Sequence, residues 1–178
     1  MKVIVLGGAG DMGSFAVRDL ARQEEVSELM VADYHGEKAS LLAKELGAKC
    51  KSMRVDANNH DELVRAIEGY DVAASAIGPF YKYENKVAGA AVEAGVDYVS
   101  ICDDYDAAQL LFQLDGAARK KKITVLTGLG WTPGLSNVLA RKGAEMLDDV
   151  DEIAVAWAGS ASDSEGYAVI LHTIHIFT

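Results

Sequence analysis

Short apolar runs alternate with amphipathic stretches along most of the chain. Residues 3–6 are apolar throughout and end in Gly7-Gly8-Ala9-Gly10; residues 11–23 then carry apolar side chains at helical spacing (Met12, Phe15, Ala16, Leu20). That pattern predicts a strand, a tight turn and a helix. The unit recurs. Residues 29–32 predict a second strand and 37–46 its helix, stopped by Gly47; residues 50–55 and 60–68 make a third pair, closed by Gly69. A fourth strand over 72–76 breaks at Gly78-Pro79, and an alanine-rich helix over 85–94 ends at Gly95. Residues 98–101 predict a fifth strand, 107–120 a long helix and 123–127 a sixth strand. The Lys120-Lys121-Lys122 run closes that helix, where cations complement the dipole, so it reads as a cap rather than a binding patch.

None of the six strands alternates cleanly between apolar and polar. That implies a parallel sheet covered by helices on both faces. Right-handed crossovers then give a doubly wound α/β sheet in the order 3-2-1-4-5-6, complete by about residue 130. Beyond it, residues 135–147 read as a helix, 152–157 as a strand and 166–177 as a further apolar element. Residues 131–178 are therefore expected to be a hinge helix and the incomplete beginning of a second domain. The apolar set Ile153, Val155, Trp157, Val169, Ile170, Leu171, Ile174, Ile176 and Phe177 is large for a small tail, which predicts self-association through it.

Composition narrows the function. Of 178 residues, 17 are Lys or Arg and 27 are Asp or Glu, a formal net charge of −10. Such a field repels phosphate backbones, so nucleic acid and anionic membranes are excluded as general partners. Any anion must be gripped locally. Two cysteines, Cys50 and Cys102, are too few for a disulfide framework and suit a reducing, cytoplasmic setting. The opening apolar run is too short for a signal peptide, and no stretch is long enough to span a bilayer.

Gly8-Ala9-Gly10-Asp11-Met12-Gly13 matches G-x-G-x-x-G, and here it follows a predicted strand and opens a helix. Asp33 ends the second strand. That setting makes the match a dinucleotide-binding fingerprint of the Rossmann type, with the diphosphate on the helix N-terminus. Gly8 is expected to permit the turn, Gly10 the approach of the diphosphate and Gly13 close packing of helix on strand. Asp33 suits the ribose hydroxyls of NAD; the residues after it are Tyr34 and His35 and not arginine, which favours NAD with NADP as the alternative. Capping of the next helix is the competing role for Asp33. Asp56 and Ala57, after the third strand, lie where an adenine would sit, and Asp56 could equally cap a helix. Ile77-Gly78-Pro79 is placed beside the nicotinamide ribose. Asp103 and Asp104 follow the fifth strand; one can serve as acid, base or anchor for an ammonium group, the other as a helix cap. Asp103 is the candidate catalytic residue. Tyr34 and Lys38 match Y-x-x-x-K at the wrong place in the fold, and His172 and His175 lack further ligands in sequence, so no metal is expected. Trp131 and Trp157 read as core or interdomain packing.

The segment Gly128-Leu129-Gly130-Trp131-Thr132-Pro133-Gly134-Leu135-Ser136-Asn137 resembles the G-x-x-P-G-hydrophobic-x-N signature of the saccharopine dehydrogenase family. Residues 1–13, 31–33, 55–57, 76–80 and 98–104 follow that family's pattern in order. The resemblance implies an NAD(P)-dependent dehydrogenase acting on a CH–NH bond of an amino acid or related amine, with a second domain for substrate and dimerisation. Family members are considerably longer, so the resemblance also implies a fragment. The alternative reading is a non-catalytic dinucleotide-sensing domain, which would have no use for the Thr-Pro-Gly-Leu segment; a third is an assembly domain without chemistry.

Overall fold

The computed structural model describes residues 1–156, 158 and 166–176. Along β1 (Lys2–Leu6), Ile4 and Leu6 pack into one core cluster while Val3 and Val5 pack into another. Successive side chains of a strand point to opposite faces. Both faces of β1 are therefore buried, which is why its sequence shows a continuous apolar run. The same holds for β2 (Glu28–Asp33), where Leu29 and Val31 face one cluster and Met30 and Ala32 the other.

β3 (Cys50–Arg54), β4 (Val72–Ser75), β5 (Asp97–Ser100) and β6 (Val125–Leu126) complete one all-parallel sheet in the order β3-β2-β1-β4-β5-β6. Its register sets Leu6 opposite both Ala32 and Ser75, and Asp33 opposite Arg54. Between the strands run α1 (Asp11–Leu20), α2 (Gly36–Leu46), α3 (His60–Ile67), α4 (Phe80–Ala94), α5 (Tyr105–Leu111) and α6 (Asp115–Lys121), followed by α7 (Ser136–Ala144) and α8 (Tyr167–Ile176). The doubly wound sheet expected from the sequence is the fold observed.

Several elements differ from expectation for identifiable reasons. On α1 the apolar stripe of Met12 and Phe15 does not face the sheet: these residues are 58% and 72% exposed, whereas Gly13 and Val17 are buried. The glycine turn fixes where the helix starts, and that overrides the hydrophobic pattern. α4 starts at Phe80, immediately after Pro79, rather than near Asn85. The aromatic residues of its first turn are middling helix formers, but the Asp104 carboxylate accepts from the Tyr81 N–H at 2.8 Å. A cap supplied from another element cannot be read locally. The long helix expected over 107–120 is broken by a 3₁₀ turn at Phe112–Leu114, with Gly116 just inside the restart; both Leu111 and Ala118 stay buried across the break.

β6 is shorter than expected. The Asp97 carboxylate takes the Thr124 N–H at 2.7 Å, and the Thr127 hydroxyl turns to Glu84 at 3.2 Å. Side-chain bonds thus accompany the backbone bonds Tyr98 N–H to Thr124 O and Leu129 N–H to Ser100 O at the two ends. Residues 152–156 are not a strand: none of the described residues pairs with them, and Trp157 lies outside the described residues. The apolar element after 166 is α8, with Phe177 outside the described residues. Trp131 is 64% exposed and so is not part of the core. Lys122 closes α6 in the left-handed conformation (φ 57°), behind Arg119, Lys120 and Lys121 in the last turn, as a helix cap requires.

Candidate functional site

The glycine loop is locked between two strands. Gly7, at φ 75°, makes the turn, and the N–H groups of Gly7 and Gly8 both donate to the Ala32 carbonyl at 2.8 and 3.1 Å. The turn-making glycine is thus Gly7 rather than Gly8, whose need is steric: a Cβ there would lie 2.9 Å from the Val5 carbonyl oxygen. Gly13 is the tightest position. A Cβ on it would lie 2.1 Å from the Gly7 carbonyl oxygen, so α1 packs on the loop more closely than any side chain permits. The N-cap of α1 is exposed Gly10, with no side-chain cap. The first-turn N–H groups of Asp11, Met12 and Gly13 therefore point out of the sheet edge, as an anion site requires.

Asp33 is 9% exposed and both its oxygens are engaged: Oδ2 accepts from Ala9 N at 3.0 Å and Oδ1 from His35 N at 2.9 Å. Its carboxylate ties the end of β2 to the glycine loop. The N-cap of α2 is His35, so the capping role considered for Asp33 falls elsewhere. An arginine does stand near Asp33, contrary to the sequence reading. Arg54 ends the adjacent strand, and its guanidinium lies 4.7 Å from the ring centroid of exposed Tyr34. It comes from a neighbouring strand and so is invisible in the residues that follow Asp33.

At the next loop Asp56 Oδ1 accepts from Asn58 N at 2.9 Å, while the N-cap of α3 is Asn59. Asp56 and Ala57 remain half-buried at the strand end. On the other side of β1, Gly7 abuts the Ala76 carbonyl group, and Ile77, Gly78 and buried Pro79 lead directly into α4. The crevice between the C-terminal ends of β1 and β4, where strand order reverses, is the place such sheets bind ligands.

Beyond β5 the chain assembles a cluster that sequence spacing did not reveal. The buried Asp104 carboxylate, besides holding Tyr81, lies 2.7 Å from His172 Nδ1, and the Asp103 Oδ2 lies 3.3 Å from His172 Nε2. Asp104 is the N-cap residue of α5, but its side chain does no capping there. Ligand-type atoms of Asp103, Asp104 and His172 lie within 4.8 Å of one another, a grouping that the His172–His175 spacing gave no reason to expect. His175 stacks on Tyr81 at 4.2 Å and pairs with Asp106 at 3.2 Å. Partial burial pushes the Asp103 carboxyl above its usual range, with His172 opposing.

Behind this cluster lies Glu84, 1% exposed on α4. It accepts from Tyr98 Oη at 2.9 Å, Ser100 Oγ at 2.5 Å and Thr127 Oγ1 at 3.2 Å. Burial raises its pKa although all three hydroxyls favour the charged form. An acid immediately before the alanine-rich stretch was the available signal for this network. Cys102, also buried, has its thiol pushed up to about 12 by burial and by Glu84, so it stays protonated and unreactive. Cys50 is buried at β3 and its thiol is likewise raised by burial.

Comparison with known proteins follows the same line. The model of the saccharopine dehydrogenase NADP binding domain matches residues 3–126. The saccharopine dehydrogenase (L-Glu forming) of Saccharomyces cerevisiae superimposes with a TM-score of 0.69 at 26% identity, covering 82% of this chain and 31% of that one. This chain thus spans about a third of that enzyme's length. The Citrobacter triphenylmethane reductase complexed with NADP(H) shares the fold, with a TM-score of 0.55 at 20% identity over 82% of this chain and 55% of that one. So does a putative short-chain oxidoreductase of Thermus thermophilus, at 0.56 and 15% over 88% of this chain and 100% of that one. The chain belongs to the saccharopine dehydrogenase family, through an NADP-binding domain that occupies most of it.

Proposed function

We propose that this member of the saccharopine dehydrogenase family holds NADP(H) along the C-terminal edge of its sheet. As part of a longer protein, it would serve an oxidoreductase acting on the CH–NH bond of an amino acid or related amine. The observation that carries the reading is the double lock on the glycine loop. Gly13 seats against Gly7 and Asp33 holds Ala9, which fixes the start of α1 at the β1–β4 crevice. When bound, the nicotinamide supplies the acceptor or donor of hydride; positioning falls to the chain. Gly8, Ala9, Gly10, Asp11, Met12 and Gly13 form the diphosphate cradle, Asp56 and Ala57 border the adenine, and Ile77-Gly78-Pro79 walls the nicotinamide ribose. Asp103 is the acid/base or ammonium anchor.

Arg54 shifts the cofactor reading from NAD toward NADP. A planar guanidinium on an aromatic ring beside the ribose site suits a 2′-phosphate and offsets the charge of Asp33. Residues 131–178 form the hinge and the start of a substrate and dimerisation domain, and the exposed apolar side chains of α7 suit a homo-oligomer. Two buried free thiols fit a reducing compartment such as the cytoplasm.

Calorimetric titration tests this. NADPH should bind saturably to the wild type and not to Gly10→Asp, which adds bulk and charge to the cradle. Arg54→Ala should weaken NADPH about tenfold and leave NADH unchanged, a loss of about 1.4 kcal/mol. Equal binding by wild type and Gly10→Asp would overturn the site; an unchanged NADPH-to-NADH ratio in Arg54→Ala would overturn the cofactor preference.

A further inference from the structure

We infer that His172 is a proton-transfer group of this site, oriented through Nδ1 by Asp104 and presenting Nε2, beside Asp103, to the nitrogen of an amine substrate. The inference rests on the oxidoreductase reading above and deepens it.

The two ring nitrogens have different surroundings. Asp104 has a side chain 1% exposed, with Oδ2 accepting from Tyr81 N at 2.8 Å and Oδ1 at 2.7 Å from His172 Nδ1. With Oδ2 already accepting from the Tyr81 N–H, the pairing we infer has Nδ1–H donating to Oδ1. This fixes the tautomer and leaves Nε2 as the exchangeable position. Nε2 meets Asp103 at 3.3 Å, a longer contact to a side chain that is 37% exposed. Two acceptors do not face each other without a proton between them. Asp103 and Nε2 therefore share one; once Asp103 Oδ2 has released it to water, the substrate ammonium takes its place as the donor between the two acceptors. The partial burial that raises Asp103 favours this exchange.

Position supplies the second half of the argument. α8 carries His172 across the strand ends: Ala168, one turn earlier, sits 3.0 Å from where a Cβ on Gly78 would lie. Tyr81, held by Asp104 and stacked on His175, follows Pro79 by two residues. The His172 ring thus stands beside the wall assigned to the nicotinamide ribose. Asp106 faces His175 rather than His172, and Cys102 behind the cluster stays a neutral thiol.

The step balances without further reagents. An N–H bond of the substrate ammonium breaks, its proton forms an N–H bond at Nε2, and the electron pair stays on the substrate nitrogen. That lone pair is what a carbon–nitrogen double bond needs. The proton then passes to Asp103 Oδ2 and on to water. In the reverse direction the imidazolium returns it.

Histidine-selective ¹⁵N and ¹³C labelling of the 178-residue chain tests this, with His172 assigned by comparison with His172→Asn, which keeps a donor toward Asp104. The neutral ring should be the Nδ1–H tautomer, and Asp104→Asn should shift it toward Nε2–H. With NADP⁺ bound, at a pH where the ring is neutral, L-lysine or methylammonium should move the His172 resonance toward the imidazolium position. His172→Asn should bind NADP⁺ within about twofold of wild type. An Nε2–H tautomer in the wild type, or no amine-dependent shift in a chain that binds NADP⁺, overturns the inference and leaves the cofactor site standing. Equimolar zinc displacing the Nδ1 proton would make the cluster a metal site and overturn it too. A chain that binds no NADP⁺ removes the oxidoreductase reading itself, and this inference with it.

Discussion

The sheet up to β5 and the segment from β6 to just past α7 use apolar residues in opposite ways. In the first, Ile4, Leu6, Val17, Leu29, Val31, Leu63, Ile67 and Val87 are all fully buried, shared between the two faces of the sheet. In the second, Leu126, Leu129, Trp131, Leu135, Val138, Leu139, Met146 and Leu147 are 46–80% exposed. Burial of such a side chain is worth about 1.5–3 kcal/mol. The first region thus folds around its own core. The second leaves these side chains uncovered by the described residues.

The same substitution should have opposite signs in the two regions. Gly13→Ala drives a Cβ to 2.1 Å from a backbone oxygen that cannot give way. We expect a loss on the order of 3 kcal/mol and a melting temperature lower by roughly 10 °C, with dinucleotide binding gone. Gly143→Ala on α7 meets nothing within 4 Å and should stabilise by about 0.5–1 kcal/mol through helix propensity. Thermal melts of both variants decide it. Equal effects would show that the regions do not differ in packing.

A smaller effect is expected at the seam between the regions, where Glu84 joins α4 to β5 and to Thr127. Ser100→Ala should cost about 1–2 kcal/mol by leaving the carboxylate short of a donor. The pH dependence follows from the raised pKa of Glu84. A carboxyl raised on folding takes up a proton, so its contribution is full below the ordinary carboxylate range and declines as pH rises through the folded value. Glu84→Gln does not titrate. Its stability relative to wild type should therefore increase with pH, measured by denaturant midpoints across the acid-to-neutral range. A constant difference would mean that Glu84 is not raised.

The smallest change in stability should come from Leu139→Glu, on a side chain 60% exposed. We expect the melting free energy to stay within about 0.5 kcal/mol of wild type. Light scattering should show less self-association if α7 is an interface. Unchanged association would move the contact to another face.

The central strands were legible because β1 and β2, buried on both faces, need unbroken apolar runs; the edge strand β3, Cys-Lys-Ser-Met-Arg, carries no such run. The glycine loop was legible for a local reason: Gly7 to Gly13 act on one another within a single turn. What escaped the sequence depends on partners far along the chain. Arg54 meets Tyr34 only through strand register, Tyr81 is capped by Asp104 from 23 residues away, and His172 joins Asp104 across 68 residues. α1 shows the reverse error, a clean hydrophobic stripe that tertiary packing turns outward.

The two buried thiols have a practical consequence. Cys50 lies at one edge of the sheet on β3 and Cys102 just past β5 toward the other; both are buried, and burial raises both thiols. Alkylating reagents should therefore modify the closed protein slowly and react faster with molecules that have opened locally. The chain carries its own pair of opening clocks, one near each margin. The order in which they are modified reports which margin of the sheet lets go first.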